Sequence, residues 1–143
     1  MKKLLLCSIL LLAFVGIQSQ GAEGFVVVIN ESNPTTEMDA KRMAKMFLKK
    51  IKRWEDKEAV IPVDQSDDST ARERFTEAVH KKSVSAIKSY WQRMIFSGRD
   101  VPPTELGSDQ AVLDFVRQNR GAIGYVTSGT ELGEGIKELI VTD

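Results

Sequence analysis

The stretch that most constrains this chain is residues 61–75, IPVDQSDDSTARERF. A short apolar run (Ala59, Val60, Ile61, Val63) passes through the polar turn Asp64-Gln65-Ser66-Asp67-Asp68 and opens a helix at Ser69. A strand that feeds a helix start leaves several backbone N–H groups without acceptors, and the aligned peptide dipoles make that end partly positive. Such an end can hold an oxyanion with N–H groups and a hydroxyl from Ser69 or Thr70, and Arg72 in the first turn can add a charge-assisted fork. The plainer local reading has Ser69 as the N-cap of a surface helix and Arg72 in solvent. Either way the segment is a strand–turn–helix unit, the building block of a layered α/β domain.

The chain starts with the layout of an export signal. Met1-Lys2-Lys3 is a positive leader, residues 4–17 are almost unbroken apolar sequence, and Ser19-Gln20-Gly21-Ala22 offers small residues for cleavage after Gly21 or Ala22. The apolar run is shorter than the roughly 20 residues a spanning helix needs, which favours removal over anchoring. Cys7 does not read as a lipidation site, because Leu6 stands where a small residue is required. The expected division is a signal peptide at 1–22 and one domain at 23–143, placing the protein in the periplasm.

Removal of the signal takes away the only cysteine, leaving neither a disulfide nor thiolate chemistry. Lys2 and Lys3 leave too, so 18 basic residues face 20 acidic ones, a formal charge of −2. That balance argues against nucleic acid as a partner. About 120 residues remain, enough for one ordinary domain held by its core alone.

Along the mature chain, Phe25-Val26-Val27-Val28-Ile29 is a continuous apolar run suited to a strand buried on both faces of a parallel sheet. Asn30-Glu31-Ser32-Asn33-Pro34 ends it. Thr35 or Thr36 then caps a helix with Glu37 and Asp39 in its first turn and Ala40, Met43 and Phe47 as its apolar stripe. The nearby methionines read as core filling rather than metal ligands. Lys49, Lys50, Lys52 and Arg53 read as a solvated helix end, with Ile51 and Trp54 packing inward, rather than as an anionic-surface or membrane contact.

The helix begun at Ser69 carries Ala71, Phe75, Ala78 and Val79 on one face. His80, the single histidine, reads as solvated, and with no second histidine and no remaining cysteine a metal site is not expected. Ser83 caps a helix whose broad apolar face is Ile87, Tyr90 with Trp91, and Met94 with Ile95, ending at Ser97-Gly98. Arg99-Asp100-Val101-Pro102-Pro103 reads as extended loop. Ser108 caps a helix with Val112, Leu113 and Val116 inward, stopped at Asn119-Arg120-Gly121. Ala122-Ile123-Gly124-Tyr125-Val126 is a second buried strand whose glycine marks a close approach by neighbouring backbone. After a polar loop, residues 136–141 form one terminal strand. The sum is an α/β layer arrangement with a mostly parallel sheet flanked by helices.

Several of these segments, in this order, resemble the type II periplasmic solute-binding proteins of the phosphate ABC transporter. Val28-Ile29-Asn30-Glu31-Ser32-Asn33-Pro34 and the segment from Met46 to Trp54 are similar to that family's "VNPSNP … IFLGKITxW". The segment from Ser66 to Phe75 resembles its anion turn "RSDGSGTRExF". Asn119-Arg120-Gly121-Ala122-Ile123-Gly124-Tyr125-Val126 is close to "NPGAIGYV". The resemblance implies an anion site of Ser69, Thr70 and Arg72, with Ser66 and Gln65 in secondary roles, taking phosphate or a related oxyanion without a cofactor. It also implies two lobes, of which this chain has the length for one. A homodimer, or a second periplasmic or membrane protein, would then complete the cleft. The turn departs from the pattern: Asp68, Thr70 and Ala71 stand where the family has Gly, Gly and Thr, and Gln65 replaces an arginine. The alternative is a ligand-free interaction or sensory accessory module on the same lobe, using the acidic turn and the loop at 99–103. An enzyme is not expected, for the chain shows no paired carboxylates, activated nucleophile or metal-ligand set.

Overall fold

The computed structural model describes residues 24–143, so the expected signal segment at 1–22 lies outside the described residues. The elements run β1 (Phe25–Asn30), β2 (Glu37–Asp39), α1 (Ala40–Phe47), β3 (Ile61–Gln65), α2 (Thr70–Phe75), α3 (Val84–Phe96), β4 (Thr104–Leu106), α4 (Asp109–Gln118), β5 (Ala122–Thr127), β6 (Ile136–Glu138) and β7 (Ile140–Thr142). A π-helical turn, Thr76–His80, extends α2 and stops at Lys81, whose φ of 56° is left-handed.

A five-stranded sheet in the order β4-β3-β5-β1-β6 forms the middle layer, with β2 and β7 as a separate pair. This is a mixed α/β fold in which most pairings are parallel: β3 with β4, β3 with β5, and β2 with β7. The apolar run at 25–29 is buried on both faces as its composition requires, yet β1 is antiparallel to both of its neighbours, β5 and β6. Helices cover both faces. Phe25, Val27, Ile29, Ile123 and Tyr125 pack on one side with Met43, Met46, Phe47 and Phe75. Val28, Val63 and Val126 pack on the other with Val112, Leu113 and Val116 of α4. The close approach at Gly124 is made by side chains rather than backbone: an added Cβ would sit 2.8 Å from a Val112 methyl and 2.9 Å from one of Val63.

Three further expectations are corrected. Thr35 and Thr36 cap nothing: residues 37–39 are drawn into β2 by pairing with β7, and Asp39 caps α1 by accepting from the Arg42 N–H at 2.8 Å. The terminal strand is two strands, because β6 adds to β1 while β7 leaves for β2. Leu139, buried at the changeover, donates its N–H to Val27 O. The loop expected at 99–103 is present, and it runs on into β4, an edge strand parallel to β3 that the sequence did not reveal.

The third of these is His80, which is half-buried with its ring edge-on to Phe47 and Phe75, centroids 6.4 and 5.9 Å away. Burial, reinforced by the charges of Arg72 and Lys82, lowers its pKa from 6.5 to about 4. Between those values the unfolded chain binds a proton that the folded chain refuses, so this group makes stability rise with pH. Its contribution is fully present above pH 6.5 and is lost as pH falls through about 4. Urea midpoints measured across that window should therefore fall less steeply with acid in His80→Leu than in the parent.

Candidate functional site

The turn after β3 is built from the inside out. Ser66 N–H donates to Leu106 O at 3.2 Å, tying the turn to β4, and Ser69 N–H donates to Ser66 O at 3.0 Å. Ser69 takes extended angles (φ −73°, ψ 128°) and caps α2, its hydroxyl accepting from the Arg72 N–H at 3.2 Å. The cap expectation therefore holds. Thr70 is exposed at the first helical position, and neither its N–H nor that of Ala71 has an acceptor among the described residues.

Gln65 is buried and cross-links three elements. Its amide nitrogen donates to Asp109 Oδ1 (2.8 Å) and Tyr125 O (2.9 Å), while its amide oxygen accepts from the Ser69 hydroxyl (2.7 Å). Asp109 also accepts from the Thr127 N–H at 3.0 Å. Burial works against the Asp109 carboxylate, but these hydrogen bonds outweigh it and hold its pKa below the usual value.

Arg72 is not in solvent, contrary to the plain-cap reading; only 3% of it is exposed. Its Nη1 donates to Gln65 O at 2.8 Å and to Glu105 at 2.7 Å, and its Nε lies 3.9 Å from Asp64. Burial disfavours its charge, but Asp64 and Glu105 more than compensate and keep it firmly protonated. Asp64, buried in β3, accepts from the Tyr125 hydroxyl at 2.8 Å; desolvation raises its pKa, with Arg72 pulling the other way. Burial and then the Asp64 charge push the Tyr125 phenol well above its ordinary value. Asp67 pairs with Lys88 at 2.6 Å, and that contact lowers its pKa.

The structure thus brings Ser66, Gln65, Ser69, Thr70 and Arg72 to one turn, with Arg72 and Gln65 beneath it and Thr70 at its surface. Sequence reasoning missed Asp64, Glu105, Asp109 and Tyr125. The one available signal was an aspartate directly after the apolar β3 run, whose burial demands a partner. Among the described residues no group of acidic or histidine side chains could hold a metal ion, and no helix is long and apolar enough to cross a membrane.

Three comparisons bear on what this lobe is. Residues 18–139 match the PBP superfamily domain. No curated protein matches. Among solved structures, an ABC-type phosphate transport receptor from Vibrio cholerae aligns with TM-score 0.65 at 17% identity, over 84% of this chain and 47% of the receptor. A protein from Clostridium perfringens, assigned as a phosphate ABC transporter substrate-binding protein and solved with bound phosphate, aligns with TM-score 0.65 at 18% identity, over 82% of this chain and 44% of that one. The chain spans less than half the length of these structures. At such identities the likeness is one of fold, which is phosphate-binding-protein-like. With the family match running over most of its length, this chain belongs to the PBP superfamily.

Proposed function

We propose that the chain is exported to the periplasm and acts as a solute-binding-like module that takes phosphate or a related oxyanion at the start of α2. The observation that carries this reading is the helix start, exposed at Thr70 with the buried Ala71 behind it. The Thr70 and Ala71 N–H groups are without partners among the described residues and lie beside the Ser69 and Thr70 hydroxyls. Partner-free N–H groups at the positive end of a helix are the elementary anion site. The phosphate bound to the Clostridium perfringens relative supports this choice of ligand. Here the turn is open on one side, so binding by the chain alone is weak, on the order of a millimolar. A homodimer or a second periplasmic or membrane protein walling the other side would tighten it.

A second reading, a ligand-free accessory module, draws on the internal bonds of the turn. The Ser69 hydroxyl already donates to Gln65, Arg72 is engaged by Gln65 and Glu105, and Asp67 and Asp68 put negative charge beside the helix start. Thr70→Pro separates the two. Proline suits the first helical position, and the extended angles of Ser69 suit the residue before it. The variant should keep its thermal midpoint while losing one N–H and one hydroxyl. Calorimetric titration with phosphate should show at least about tenfold weaker binding, a loss of about 1.4 kcal/mol. Equal heats from parent and variant, or none from either, would favour the accessory module.

A further inference from the structure

The charge of this chain is segregated. Residues 40–54 contain seven cations and no acid, and residues 78–99 contain five cations and no acid. The rest of residues 24–143 carries six cations against 19 acids. The fold joins the two basic segments. Lys50 Nζ lies 5.7 Å above the Tyr90 ring of α3, and Lys52 Nζ lies 3.6 Å from Asp100 just beyond that helix. Beside the first segment lies a depression of about 450 Å³, lined in part by Lys49, Ile51, Lys52, Arg53 and Asp100.

Apolar side chains project from the same region. The expected apolar face of α3 is only partly used: Ile87 and Trp91 are buried, but Ile95 is 51% exposed, Phe96 92% and Val101 59%. Arg93, one turn before Phe96, shares its side of the helix, and Arg99 follows it. Neither arginine has an ion-pair partner among the described residues. An exposed phenylalanine at a helix end, flanked in sequence by two arginines without ion-pair partners, is the pattern of an interfacial anchor. Phe96 and Val101 protrude, whereas Ile95 borders a small groove with Trp91, Pro102 and Pro103; a protruding Phe96 suits a deformable surface better than a preformed protein partner. The flexible lysines are suited to phosphate-bearing headgroups at the rim.

We infer that the face formed by the C-terminal half of α3 and the loop at 49–53 docks on an anionic lipid bilayer, with Phe96 as the inserted group. This inference is independent of the anion turn at Ser69 and Thr70. The test is sedimentation of the signal-free chain with vesicles of equal parts phosphatidylglycerol and phosphatidylcholine, and with phosphatidylcholine alone. Binding is expected only to the anionic vesicles, to weaken with added salt, and to persist in inorganic phosphate at constant ionic strength. Phe96→Ser and the double variant Arg93→Glu/Arg99→Glu, all at exposed positions, should each weaken it about tenfold without changing the thermal midpoint. No binding to the anionic vesicles, equal binding to both kinds, or binding indifferent to both variants would overturn the inference. So would self-association abolished by Phe96→Ser without vesicle binding, which would assign the face to a second copy.

Discussion

Arg72→Leu is expected to destabilise the domain by about 3–5 kcal/mol, the cost of removing one partner from a buried charge cluster. The guanidinium is nearly inaccessible, and it holds together three elements: the end of β3 through Gln65 O, β4 through Glu105, and the interior through Asp64. Leucine would fill part of the space and leave the buried Asp64 carboxylate with the Tyr125 hydroxyl as its remaining hydrogen-bond donor among the described residues. Asp64 already has a raised pKa because of burial, and losing the cation raises it further. A folded-state pKa above the unfolded value favours the fold below the unfolded pKa and works against it as pH rises through the folded pKa. The deficit of Arg72→Leu should therefore be smaller in acid than at neutral pH. Adding Asp64→Asn, which keeps an acceptor for Tyr125 and removes the charge, should recover part of it. Urea denaturation of the four chains at two pH values measures both effects. A surface arginine would have cost a few tenths of a kcal/mol.

Gly121→Ala should be nearly as damaging, about 3 kcal/mol, through steric conflict alone. A Cβ there would lie 2.0 Å from the carbonyl oxygen of Ala59, which is backbone and cannot rotate away. The Gly121 carbonyl also accepts from Ile61 N–H and from the Trp54 indole, both at 2.9 Å. Relieving the clash moves the strand entry at 59–61 and breaks one or both bonds, leaving a buried indole N–H unpaired. Trp54 is 3% exposed, so its emission should shift to the red in the variant. Gly107→Ala is the control, since an added Cβ there meets nothing within 4 Å.

What the sequence disclosed and what it hid follow from the range of the forces involved. Ser69, Ser83 and Ser108 all cap helices as expected, because a cap is a bond over three residues. The strands at 25–30 and 122–127 are long, apolar and β-branched, and helices on both faces require that composition. The three-residue strands β2, β4, β6 and β7 are too short to show a period; their pairing is set by partners as distant as Glu37 and Ile140. The antiparallel setting of β1 is likewise a property of chain path, not of the residues 25–29. At the site, the cap and the exposed helix start were legible in Ser69 and Thr70. The fate of Arg72 was not, because its two acids, Asp64 and Glu105, arrive from adjacent strands. His80 looked solvated beside Lys81 and Lys82 because the rings that enclose it, Phe47 and Phe75, lie on two other turns of chain.

The central claim, that an oxyanion sits at the start of α2, is tested most directly by amide NMR of residues 23–143 titrated with phosphate. The account predicts saturable shifts at Ser69, Thr70 and Ala71, with half-saturation on the order of a millimolar. It predicts no comparable response in Thr70→Pro. Unmoved amides at those three positions, or shifts confined to the basic face at 49–53 and 93–99, would contradict it.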